Sequence, residues 1–167
     1  MAFVTDGTLG VDLTKLTAAT GTLLDQGNEF ALGQRVTATD GSNWVYVQAG
    51  AAITQYSWVS IDENFQAVMG TKALADAGHG VGFAQVTFAD NYFGWVCVNA
   101  PGNINVRVLA ACAADVQLYT SGTDGALDDT AASQTLIRGV VIVATGVTAT
   151  ASTREAIATY PSATATP

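Results

Sequence analysis

Four groups of residues in this 167-residue chain are of types that could do chemistry. His79, the sole histidine, stands between Gly78 and Gly80. A general base needs an orienting partner and a metal needs further ligands; the neighbouring sequence supplies neither, so His79 reads as a solvated loop residue. Asp124-Gly-Ala-Leu-Asp128-Asp129 has some of the acidic spacing of a calcium loop. It lacks the alternating oxygen ligands and closing glutamate of an EF-hand, and reads as a turn with solvated carboxylates. Asp62-Glu63 could be half of a glycosidase pair, but adjacent carboxylates at a strand turn are ordinarily turn residues. Cys97 as a nucleophile has only the distant His79 as a base and lies in an apolar strand pattern. Gly-x-Ser-x-Gly is absent, and Gly80-Val-Gly82 opens a strand rather than a helix, so it makes no phosphate cradle. No catalytic residue, cofactor or metal ligand is expected, and the chain is not expected to be an enzyme.

The elements that must position these residues are short strands. Gly33 to Thr39 and Trp44 to Ala49 form a hairpin turned at Asp40-Gly41. Trp44, Tyr46 and Gln48 should face one way, and Val45 and Val47 the other. Further strands are expected at Tyr56 to Ile61, Phe65 to Met69, Val81 to Phe88, Tyr92 to Asn99, Asn103 to Ala110 and Val116 to Thr120. Pro101-Gly102-Asn103 reads as a turn, and Lys72 to Ala77 as a helical turn. Leu136 to Val143 is a continuous apolar run that predicts burial on both faces. Residues 145–167 are Thr/Ala-rich and predict an edge strand at Ala156 to Tyr160, then a tail. The whole is mainly β, a small antiparallel β-barrel or β-sandwich of about eight to ten strands. It divides into an N-terminal arm (1–31), a β body (32–144) and the C-terminal edge strand and tail.

Charged residues make up only 12% of the chain, about half the usual share. The surface must then be largely Thr, Ser, Ala, Gly, Asn and Gln, which suits a protein packed against neighbours. The net charge is −8, and the six cations are scattered singly. Nothing neutralises a run of phosphates, which argues against nucleic-acid binding. No apolar run approaches the ~20 residues of a membrane helix, and no export signal opens the chain. Cys97 and Cys112 lie in or beside apolar segments and are expected as reduced, buried thiols. Trp44, Tyr46, Tyr56, Trp58, Tyr92, Phe93 and Trp95 could line a carbohydrate-binding face; core and cross-strand pairing is the more ordinary use of such residues. In the arm, Phe3, Val4, Leu9, Val11 and Leu13 follow neither a helical nor a strand period, and are expected to find pockets on other chains.

The order Leu32-Gly-Gln-Arg-Val, Asp40-Gly-Ser-Asn-Trp-Val-Tyr-Val-Gln-Ala, Ile61-Asp-Glu-Asn-Phe, Val81-Gly-Phe-Ala-Gln-Val, Tyr92-Phe-Gly-Trp-Val, Ala110-Ala-Cys-Ala-Ala-Asp-Val-Gln-Leu-Tyr-Thr and Gly125-Ala-Leu-Asp-Asp resembles the capsid decoration (cement) proteins of tailed bacteriophages. The resemblance spans roughly residues 30 to 143 and rests on ordering and texture, without a catalytic motif. It implies a virion structural protein, made in the host cytoplasm, that binds the major capsid protein on the outer surface of the expanded head. Homotrimers at three-fold positions, with terminal arms contacting the shell or adjacent subunits, are part of what it implies. A tail-tube or head-completion subunit and a carbohydrate-binding surface module are the alternative expectations.

Overall fold

Asn43-Trp-Val-Tyr-Val-Gln-Ala49 carries large side chains on both faces of one strand, and both faces are buried. Such a strand has to lie between two cores. In the computed structural model, which describes residues 10–19, 29–145 and 151–164, Val45, Val47 and Ala49 join one buried cluster while Trp44 and Tyr46 join another.

The described residues form β1 (Arg35–Thr37), β2 (Asn43–Ala49), β3 (Trp58–Ile61), β4 (Gln66–Met69), α1 (Lys72–Asp76), β5 (Gly80–Phe83), β6 (Phe93–Val108), β7 (Leu118–Thr120), β8 (Leu127–Asp128), β9 (Leu136–Ile142) and β10 (Ser152–Thr164). The protein is mainly β, built around a closed barrel. Strand β2 runs parallel to β4, β4 pairs with β3, β3 with β5, β5 with β6, and β6 returns to β2. Val45, Val47, Val59, Ile61, Ala67 and Val96 fill its interior, each fully buried aliphatic contributing about 1.5–3 kcal/mol. So small a barrel has little room: a Cβ on Gly82 would sit 2.6 Å from Val96 Cγ1 and 3.1 Å from Ile61 Cδ1.

Strand β1 pairs with β2 outside the barrel, and β7 to β10 close a second ring on the far half of β6. Strand β6 runs parallel to β8, β8 pairs with β7, β7 with β9, β9 with β10, and β10 returns to β6. Numbered in chain order within each ring, both have the order 1-3-2-4-5, with strands 1 and 3 parallel and every other pair antiparallel. Strand β6 is the fifth strand of the first ring and the first strand of the second. The repetition extends to side chains. Ile104, Val106, Val108, Leu118, Leu127, Ile137 and Ala156 are buried in the second ring, and buried Cys112 follows its first strand as buried Ile53 follows β2. The aromatic outer face of the first ring, with Trp44, Tyr46, Trp58, Phe93 and Trp95, belongs to the same cluster as the second ring's interior.

A shared strand and a shared core make the two rings one cooperative unit. Tryptophan fluorescence, which reads the core that Trp44, Trp58 and Trp95 share with the second ring, and far-ultraviolet circular dichroism, which reads the strands of both, should therefore give coincident urea transitions. Separated midpoints would show that the rings unfold independently.

Three expectations need correction. The chain does not turn at Pro101-Gly102: β6 continues from Phe93 to Val108, exchanging β2 (last paired at Asn99) for β10 (from Ala100). Proline is tolerated where ladder partners change. The C-terminal segment is no edge strand. Strand β10 lies between β6 and β9, and Ala156 and Ala158 pair on both sides, so the β body extends to Thr164. The third correction concerns β9: Ile137, Val140 and Ile142 face inward, while Val141 remains 38% exposed because the second ring has a single core. The expected helical turn is α1, whose N-cap Thr71 Oγ1 accepts the Leu74 N–H at 3.3 Å.

Candidate functional site

The strands bring a hydroxyl to His79. Ser60 Oγ lies 3.1 Å from His79 Nδ1, the juxtaposition a serine nucleophile and its base require. Ser60, however, is 2% exposed and sits within β3, which pairs with β4 at Val68 and β5 at Val81. Substrate does not reach Oγ, and the neighbouring amides belong to ladders, which removes them as an oxyanion hole. The second ring has a comparable bond between its second strand and the approach to its fourth, Thr120 Oγ1 to Gln134 Oε1 at 2.8 Å. That pair contains no base, so the Ser60–His79 bond is best understood as a brace between strands.

The acidic run divides. Asp124 is exposed, and its carbonyl accepts from Arg107 at 3.3 Å. Asp128 and Asp129 instead come together with Cys112, with candidate ligand atoms all within 4.8 Å of one another. Asp129 Oδ2 accepts the Ala113 N–H at 2.9 Å. Cys112 is fully buried, and burial, followed by the charges of Asp129 and Asp128, pushes its thiol up to about 11. At neutral pH this sulfur is a protonated core atom. Cys97, on the outer face of the first ring, is pushed up to about 12 by burial. Both cysteines are free.

These thiols make stability pH-dependent. An ordinary thiol titrates near 9, so the folded-state values are raised. Their contribution is complete below pH 9 and is lost as pH rises through about 11 and 12. The thermal midpoint should fall above pH 9, and fall less steeply in Cys97→Ala. An equally steep alkaline fall in that variant would assign the effect to other groups.

Of the aromatic row, Trp44, Tyr46, Trp58, Phe93 and Trp95 are buried, and Tyr56 and Tyr92 are half-buried. Tyr46, Trp95 and Phe30 form a cluster with ring centroids 5.1 to 5.3 Å apart. They are core, as their cross-strand spacing allows, and no planar saccharide platform is formed by this row.

Phe3, Val4 and Leu9 lie outside the described residues. Val11 and Leu13 pack, partly buried, against the larger core cluster of their own chain. The segment is anchored to the body by reciprocal backbone bonds between Thr17 and Phe93, at 2.9 and 2.8 Å. Lys15 pairs with Glu29 beside it.

A cleft of about 840 Å³ opens at one end of the first ring. Its floor includes Val45, Ile61 and Val98, and its rim carries Arg35, Asn43, Asp62, Glu63, His79 and Tyr160. Sequence reasoning singled out His79, Asp62 and Glu63 separately but missed Arg35, Asn43 and Tyr160. The available signal for Tyr160 was its isolation, as the only large side chain between Ile157 and the C-terminus apart from prolines. No protein-family model matches the chain, and no curated protein matches it.

Proposed function

We propose that this chain is a structural protein that attaches to the outer surface of a tailed-phage capsid, binds the major capsid protein as a trimer, and links neighbouring capsomers. The observation that carries this reading is the anchored arm. Gly10 to Ala19 is tied to the outside of a doubly closed body at Thr17 and Phe93, and the apolar Phe3, Val4 and Leu9 precede that tether in sequence. A rigid body with a tethered apolar segment suits attachment across subunit boundaries, because many weak arms add through multivalency. The sparse charge of the chain favours the same use. Linking capsomers needs no reactive group.

Deletion of residues 2–9 tests it, since this spares Val11 and Leu13, which cover the chain's own core. The truncated protein should keep the circular dichroism of the full chain. It should co-sediment with expanded, undecorated capsids at least about a hundredfold more weakly, as expected from losing two or three buried apolar side chains. Unchanged saturation of capsids would place attachment on the β body.

A further inference from the structure

The cleft at the end of the first ring is framed by a residue held in an uncommon conformation. Tyr160 has φ 45°, in the left-handed region that bulky side chains rarely enter, and the residue is 75% exposed. Three features hold it there. The β10–β9 register shifts between Ala158 and Ser162, forming a bulge. Gly139, at φ 76°, admits that bulge: a Cβ there would lie 2.3 Å from the Thr159 carbonyl oxygen. Asn99, itself buried, accepts the Tyr160 N–H through Oδ1 at 3.0 Å. Bulges re-aim side chains, and backbone strain persists only where its surroundings over-determine it. Here the re-aimed side chain is an aromatic ring lining a cleft.

The polar groups around it are also held in place. Asp62 Oδ1 accepts the N–H groups of Asn64 and Gln66 at 2.9 and 2.8 Å. Asn43 Oδ1 accepts from Thr37 Oγ1 at 2.8 Å. His79 is pinned through Nδ1 by Ser60. An exposed ring flanked by fixed carboxylate, amide and imidazole groups, with the exposed Arg35 guanidinium on the same rim, presents an apolar platform with donors and acceptors around it. A phosphate-rich ligand would meet Asp62 and Glu63, and a purely apolar one would desolvate all these groups. A sugar ring satisfies both requirements, stacking its C–H face on the aromatic while its hydroxyls donate to carboxylates and accept from Arg35 and Asn43.

We infer that this cleft is a saccharide-binding subsite with Tyr160 as its stacking platform and Asp62 and Asn43 as its polar contacts. It lies on the body, at the opposite end of the β2–β6 pair from the Thr17 tether. Fixed polar groups lower the ordering cost of binding.

The test is a printed array of purified bacterial O-antigen, capsular and peptidoglycan oligosaccharides, probed with fluorescently labelled full-length protein. Wild type should bind a subset of these. Tyr160→Ala should lower that signal at least tenfold, Tyr160→Phe should retain it, and Asp62→Asn should weaken it, with circular dichroism unchanged in all three. Failure of wild type to bind any saccharide above background would overturn the site, as would full binding by both Tyr160→Ala and Asp62→Asn. Tyr160→Ala should still saturate capsids, so the capsid reading and the saccharide reading fail in different experiments.

Discussion

Replacing Gly139 with valine should destabilise the protein by about 2–5 kcal/mol, read as a lower urea midpoint with an unchanged slope. Two costs add. A residue other than glycine in the left-handed region costs about 1–2 kcal/mol, and Gly139 has φ 76°. Forcing extra atoms into a packed site costs about 1–3 kcal/mol more, and here the obstacle is backbone, the Thr159 carbonyl oxygen 2.3 Å from where Cβ would be. That oxygen moves only if the β10 bulge is undone. Against a domain stability of about 5–15 kcal/mol, the variant should be partly unfolded at 37 °C. A midpoint within error of wild type would mean that the bulge is loosely held, and would weaken the argument that Tyr160 is aimed.

Trp58→Ala should cost about 3–5 kcal/mol, the range for removing a large buried aromatic. Trp58 is 1% exposed and joins the cluster that the first ring shares with the second ring's interior. Its ring fills the space where Gly70 has no side chain, for a Cβ on Gly70 would lie 2.2 Å from Trp58 Cε3. The void would therefore open between the rings, whose backbones also meet there through Trp58 N–H to Gly125 O at 3.0 Å. Trp58→Phe should cost much less. The indole Nε1 is buried without a hydrogen-bond partner, so phenylalanine removes an unsatisfied donor along with the lost packing. Equal losses in the two variants, by chemical denaturation, would refute that account.

How legible this was in the sequence depended on side-chain size. The alternation in β2 was readable because Trp44 and Tyr46 contrast with Val45 and Val47, and the structure sends the two sets to different cores. The Asp40-Gly41 turn and the helical turn at Lys72 followed from local chemistry. Strand β10 was undervalued because its inward residues, Ala156 and Ala158, are small and carry little hydrophobic signal, although their period of two was present. The repetition of the rings left few marks in the sequence. Inward positions share only apolar character, Val45, Val47 and Ala49 against Ile104, Val106 and Val108, while outward positions diverge, Tyr46 against Arg107 or Asn105, because one outer face is covered and the other meets solvent. Of the cleft, the charged residues were visible one at a time. What joined them was the barrel end, which depends on pairings between segments far apart in sequence.

The double use of β6 implies an arithmetic of growth. A ring of this order needs five strands, yet the second ring adds only four, because its first strand was already in place. An architecture of this kind lengthens in four-strand increments, each closing on a continuation of the last strand of its predecessor, so every new barrel is joined to the old one by one unbroken strand. Strand β10 stands to the second ring as β6 stands to the first, which makes it the natural splice point for a designed third ring. Conversely, only a cut inside β6, between Asn99, the last residue paired with β2, and Ala100, the first paired with β10, leaves each ring all five of its strand segments; a cut before or after β6 leaves one ring with an open seam.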